Sequence, residues 1–255
     1  MTHWIRFKHE NVEDFGSVEG EVITIFEGNL FSNPVATQKT LPLAEVKVLT
    51  PCQPGKVVAL WNNSKSLAEK NNQAAPEEPL YFLKAPNTFL ASGETIQKPE
   101  SYDGRVLYEG ELGVVIGKTC KNVPEQDAAG VILGYTCVND VTALQLIEKD
   151  PSFPQWTRAK GFDSFCPIGP VIATGLDPNT LSIKAMLNGR ERQNYSVSDM
   201  FFAPEALVSL ISRDMTLYPG DIISCGTGPG ALPMKPGSTI DVVIDGIGTL
   251  SNTYE

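Results

Sequence analysis

The sequence predicts an α+β fold that is mainly β, and three observations carry that prediction. Short apolar runs recur between turn-forming residues from Tyr108 onward, at 112–116, 131–138, 171–173, 181–187, 221–225 and 239–244. Only two stretches in this part of the chain read as helix, 141–149 and 203–212, the second with Leu207, Leu210 and Ile211 at helical spacing. The regular strand–helix alternation that builds a parallel α/β sheet is missing.

Taken in order, residues 1–54 read as a small N-terminal β-rich appendage and 55–255 as the main domain. Val22-Ile23-Thr24-Ile25-Phe26 is a strand candidate followed by the turn formers Glu27-Gly28-Asn29. Residues 44–49 (AEVKVL) alternate apolar and polar as a half-buried strand does. Thr50-Pro51-Cys52-Gln53-Pro54-Gly55 reads as a linker. Residues 57–60 form a short apolar strand. The polar stretch WNNSKSLAEKNNQAAPEEP then reads as part helix and part loop, ahead of a strand at 80–83 and a turn at Ala91-Ser92-Gly93-Glu94. No repeat of fixed period is present.

Length and composition bound the function. A chain of 255 residues, 42% hydrophobic and 20% charged, buries a sizeable core. Lys+Arg 20 against Asp+Glu 30 gives a net charge of −10, which argues against nucleic acid and anionic membrane surfaces as partners. The five cysteines are scattered, odd in number and without a CxxC pair, so the expectation is reduced thiols in a cytoplasmic protein. The N-terminal stretch MTHWIRFKHENVEDF lacks the apolar centre of a signal peptide.

The chemistry concentrates between Tyr108 and Cys166. Glu109 and Glu111 are two residues apart ahead of an apolar run, so on an extended strand they face the same side. Asp140 closes the next apolar run. Such carboxylates are often solvated edge charges, but the apolar context on both strands makes bare burial expensive unless a cation is shared. An all-oxygen set with no nearby His or Cys suits a hard divalent ion, Mg2+ or Mn2+. Lys160, in Arg158-Ala159-Lys160-Gly161-Phe162-Asp163, is either a surface loop lysine or a cation for a substrate carboxylate or enolate, with Phe162, Phe165 and Cys166 supplying apolar cover. Gly226-Thr227-Gly228-Pro229-Gly230 is either a tight turn or an anion cradle of backbone N–H groups.

Two machineries are excluded. Gly113-Val114-Val115-Ile116-Gly117-Lys118-Thr119 has one residue too few between its glycines for a phosphate loop, and its interior is strand core. The two histidines, His3 and His9, lie in the appendage, which leaves the main domain without a Ser-His-Asp or Cys-His nucleophile system.

In order along 57–255, the motifs YEGELGVVIGK, GYTCVNDVTA, QWTRAKGFDSFCPIGP, LNGRERQNYSVSDMFF, LYPGDIISCGTGPG and PGSTIDVVIDGIGTLSN resemble the fumarylacetoacetate hydrolase family. The resemblance implies a mixed β-sandwich roll, a homodimer, and Mg2+ or Mn2+ as cofactor. It implies 2-oxo or β-diketo acid substrates, including dicarboxylic ones, and reactions such as acylpyruvate hydrolysis, decarboxylation, and isomerisation or hydration, as in the catabolism of aromatic compounds. The family's metal ligands fall on Glu109, Glu111 and Asp140, its catalytic lysine on Lys160, and its substrate-binding threonine loop on Thr227 with Gly226 and Gly228.

The departures bear on the reaction. The family's lid His and Glu, which activate water, fall on Lys65 and Ala68, with Glu69 one residue away. The Arg and Gln that follow the metal Asp fall on Leu144 and Ile147, with Gln145 the nearest polar side chain. A lysine is a poor general base near neutral pH. Decarboxylation or enol–keto isomerisation is therefore expected ahead of hydrolysis, and the alternative is a non-catalytic homologue that binds metal and an oxo acid.

Overall fold

The strand Gly110–Ile116 is buried at every residue, and a strand with no solvated face belongs inside a sheet covered on both sides. The computed structural model, which describes residues 1–255, places it there. On one flank it pairs antiparallel with Ile132–Asn139, which pairs antiparallel with Cys166–Ala173. On the other it pairs with Ile222–Ser224, which runs parallel to Val57–Trp61, itself antiparallel to Leu80–Lys84. The N-terminal strands continue this sheet rather than forming one of their own. His3–His9 pairs with Cys166–Ala173, and Val12–Glu19, Val22–Glu27 and Val35–Pro42 follow to the edge, giving a twelve-stranded mixed sheet.

A second sheet of five strands runs in the order Arg190–Ser196, Ser182–Leu187, Ser238–Ile244, Gly248–Tyr254 and Thr95–Ile96. One apolar cluster joins the two sheets: Leu112, Val114 and Val58 from the first meet Ile183, Val242 and Leu250 from the second. The mainly β architecture expected from the apolar runs is thus present, and the two packed sheets agree with the β-sandwich roll that the resemblance implies. Three helices decorate it: α1 (Lys65–Lys70), α2 (Trp156–Lys160) and α3 (Pro204–Asp214). Helix α3 buries Leu207, Val208 and Ile211 against the shared core, each contributing about 1.5–3 kcal/mol of hydrophobic stabilisation. No helix is long and apolar enough to cross a membrane.

Two local expectations require correction. Residues 141–149 are not a helix: Thr142–Ala143 pairs as a strand with Val106–Leu107, and only a 3-10 turn, Leu144–Leu146, follows. Thr142 and Ala143 are drawn into pairing that no local propensity reveals. Residues 44–49 split into a 3-10 turn, Leu43–Glu45, and a two-residue strand, Lys47–Val48. Beyond the runs singled out from the sequence, the polar segments Arg190–Ser196 and Gly248–Tyr254 are full strands of the second sheet. In the former, Gln193 and Tyr195 point inward at period two.

Candidate active site

The site forms where Gly110–Ile116 and Ile132–Asn139 lie side by side. Gly110 stands opposite Asn139, and this register sets Glu109 beside Asp140. Two bonds fix it: the Asp140 N–H donates to the Glu109 carbonyl at 2.9 Å, and the Glu109 N–H donates to Asn139 Oδ1 at 3.0 Å. Glu111, two residues along, shares the face. One carboxylate oxygen from each of Glu109, Glu111 and Asp140 lies within 4.8 Å of the others.

Buried acids need partners, and these have unequal ones. Asp140 receives two lysines, Lys84 Nζ on Oδ1 at 2.6 Å and Lys160 Nζ on Oδ2 at 2.5 Å. Burial alone would raise the Asp140 pKa, but the two lysines reverse this and hold the carboxyl below its usual range. Lys160 also donates to Glu109 Oε2 at 2.8 Å. Its burial would favour the neutral amine, yet Asp140 and Glu109 outweigh that and keep it protonated well past its ordinary range. Glu111 accepts from Ser224 Oγ at 2.6 Å and the Gly226 N–H at 2.9 Å, both on Oε2. Its Oε1 is buried with no partner. Burial, with the charges of Asp140 and Glu109, pushes the Glu111 pKa up to about 8.

An unpartnered carboxylate oxygen in a cluster of three acids offers a donor suited to a cation. Hard all-oxygen donors at this spacing fit a divalent ion. Glu109, Glu111 and Asp140 are the residues that would hold it.

A cavity of about 200 Å3 opens above the acids, with Glu109, Lys160 and Thr227 among its lining. The Thr227 hydroxyl is held by two neighbours, accepting from Gln193 Nε2 at 2.8 Å and donating to the Gly110 carbonyl at 3.2 Å. Gly226 has φ +89, which a residue with a Cβ rarely adopts, and its N–H serves Glu111. Gly228 packs flat on Tyr195, whose hydroxyl donates to the Gly110 carbonyl at 2.7 Å. A Cβ at Gly228 would overlap that ring. Gly228→Ala is therefore expected to lower stability by about 1–3 kcal/mol, read from urea denaturation, as small-to-large changes in packed interiors do.

Glu109, Glu111, Asp140, Lys160 and the 226–228 turn come together in one place; Lys65, Glu69 and Gln145 do not join them. Helix α1 turns Leu67 into the cavity, and positions two residues to either side lie about 200° round a helix. Lys65 accordingly reaches outward to the Ser198 carbonyl, 3.2 Å away, and Glu69 is exposed. The Gln145 side chain accepts from the Tyr102 hydroxyl and from the Arg105 N–H at 2.9 Å, outside the inner cavity.

Two contributors escaped sequence reasoning. Lys84 ends the strand Leu80–Lys84 fully buried, and its signal was a lysine directly after an apolar run. Gln193 bridges the Gly110 N–H at 3.0 Å to Thr227 from a strand of the other sheet, and no local pattern marks it.

Residues 56–255 match the family described as Fumarylacetoacetate (FAA) hydrolase C-terminal, and residues 2–51 match Rv2993c-like, N-terminal. A protein of Archaeoglobus fulgidus is 46% identical over 84% of this chain and 84% of its own. Oxaloacetate tautomerase YisK of Bacillus subtilis is 38% identical over 82% of this chain and 73% of its own. The crystal structure of 2-hydroxyhepta-2,4-diene-1,7-dioate isomerase from Mycobacterium marinum superposes with a TM-score of 0.91 at 36% identity, covering 100% of this chain and 98% of that one. With its two-sheet fold, its acid cluster and its buried lysine pair, the chain belongs to the fumarylacetoacetate hydrolase family and is an enzyme of that family.

Proposed function

We propose that the protein is a divalent-metal-dependent tautomerase or isomerase of 2-oxo acids. The observation that carries this reading is the Lys160–Glu109 pair at the cavity floor, 2.8 Å apart and touching the acid cluster. An ion held by Glu109, Glu111 and Asp140 would act as a Lewis acid, drawing electron density from the 2-oxo carbonyl.

The side chains supply the rest. Lys160 keeps a proton at Nζ and sets a positive charge beside the oxygen on which negative charge develops. Glu109 is the least buried of the three acids, with its side chain 18% exposed, and faces the cavity. The fixed charge of Lys160 stabilises the enolate through which a proton moves between carbon and oxygen. Thr227 positions the substrate carboxylate. Leu67 and the turn after α1 cover the cavity and exclude water.

Lys65 and Glu69 face away from the cavity, so a water-activating pair is not at hand, and proton transfer is favoured over C–C hydrolysis. The similarity to oxaloacetate tautomerase supports the same choice.

Enol–keto conversion of oxaloacetate and of a 2-oxo monocarboxylate, phenylpyruvate, each followed by ultraviolet absorbance, tests the reading, and turnover of either supports it. Turnover is expected with Mg2+ or Mn2+, to be lost in EDTA, and to fall about 10²–10³-fold in Lys160→Met. A full rate in EDTA, or acylpyruvate hydrolysis with no tautomerisation, would overturn it.

A further inference from the structure

Beside the inner cavity lies a second cleft of about 430 Å3, and its walls are mostly apolar. The two spaces share Trp61, Phe82, Ile147 and Trp156 in their linings, so they adjoin. The shared wall is a run of rings. Phe82 stacks on Trp156 at 5.4 Å with 15° between planes, and Trp61 meets Trp156 at 5.8 Å. Lys160 Nζ lies 5.0 Å from the centre of the Phe82 ring. One ring therefore separates the ammonium group at the reacting end from the indole faces.

Charge in this cleft is of one sign. Glu148 is its only ionisable carboxylate and no Lys or Arg lines it. Arg105 lines a separate groove, with Leu144 and Gln145, which also borders Trp61, Ile147, Trp156 and the same Glu148. A second carboxylate on a substrate would meet Glu148 in the aromatic cleft with nothing to offset it, whereas a flat apolar group would cover Trp61, a large side chain left 38% exposed.

We propose that the substrate is a 2-oxo monocarboxylate whose distal group is planar and apolar, an aromatic ring in particular, seated against Trp156 and Trp61. This rests on the 2-oxo acid reading of the inner cavity and adds the chemistry of the far end.

Three unreactive ligands with one head and different tails test it by calorimetric titration of the Mg2+-loaded enzyme: oxamate, N-phenyloxamate and N-oxalylglycine. N-phenyloxamate is expected to bind about tenfold to a hundredfold more tightly than oxamate, the range one apolar subsite supports. N-oxalylglycine should gain nothing. Trp156→Ala should erase the gain from the phenyl group and Trp156→Phe should restore most of it. Trp61→Ala, farther from α2, should reduce it if Trp156→Ala fails to fold. Arg105→Ala should leave N-phenyloxamate binding as it is.

A tighter fit for N-oxalylglycine that Arg105→Ala removes would overturn the proposal in favour of a dicarboxylate. So would a Trp156→Ala variant that weakens oxamate and N-phenyloxamate equally, since Trp156 then acts only through Lys160, one turn along the same helix. Oxamate binding without a phenyl gain defeats this inference alone. Failure of oxamate itself to bind defeats the 2-oxo acid reading and this proposal with it.

Discussion

Asp140→Ala is expected to destabilise the fold by about 3–5 kcal/mol, the cost of leaving a buried charge without its partner. Asp140 accepts a lysine on each carboxylate oxygen, and both lysine side chains are almost wholly buried. Lys84 keeps two carbonyls, those of Val141 at 3.3 Å and Phe165 at 2.7 Å, but no counter-charge. Lys160 keeps Glu109. The midpoint of urea denaturation should fall accordingly, and Mg2+ should not restore it, because a cation cannot replace an anion between two ammonium groups. Adding Lys84→Met should recover part of the loss. Glu109→Ala is the instructive contrast, since its side chain is at the cavity and Lys160 retains Asp140. Turnover should vanish there while most of the stability remains. An Asp140→Ala protein as stable as the parent would show that the lysine–carboxylate pairs do not hold the centre together.

Metal affinity should rise with pH up to about 8 and level off above it. The sign follows from Glu111, whose pKa is pushed up to about 8 by burial and by the neighbouring Asp140 and Glu109 charges. Below that value the carboxyl is protonated in the metal-free fold, and a cation must displace the proton. Above it the proton is already gone. Across the window below the raised pKa, affinity therefore gains about tenfold per pH unit, with one proton released per ion bound. The same burial opposes ionisation in the metal-free fold, so stability without metal should decline as pH rises from the ordinary carboxylate range through about 8. Added Mg2+ should offset that decline. Titration calorimetry in buffers of different ionisation enthalpy counts the proton directly, and Glu111→Gln should flatten the profile. A pH-independent affinity in the parent protein would remove Glu111 from the ligand set.

Legibility from sequence followed the range of the interactions. The E-x-E spacing on an apolar strand and the acid closing the next apolar run were readable because strand periodicity is local, and the structure brings those side chains to one point. The helix expected at 141–149 failed because pairing with Val106–Leu107 decides that segment. Lys65 and Glu69 were matched by counting along the chain, but which face of α1 meets the cavity depends on where its ends are anchored. Ser64 and Ser66 are both hydrogen-bonded to Asp199, on a segment far along the sequence. Lys84 and Gln193 illustrate the same limit, since a buried polar side chain is recognisable only once its partners are in place.

By itself, then, the amino-acid sequence determined the mainly β class, the family and the acids of the candidate metal centre, all of which rest on short-range periodicity or on unbroken motifs. The tertiary structure alone decided the second lysine on Asp140, the orphaned oxygen of Glu111 and the aromatic wall beside Lys160. Each of these joins residues from strands and helices that are distant in sequence, and only the packing of two sheets fixes which side chains share a low-dielectric interior and must balance one another's charge.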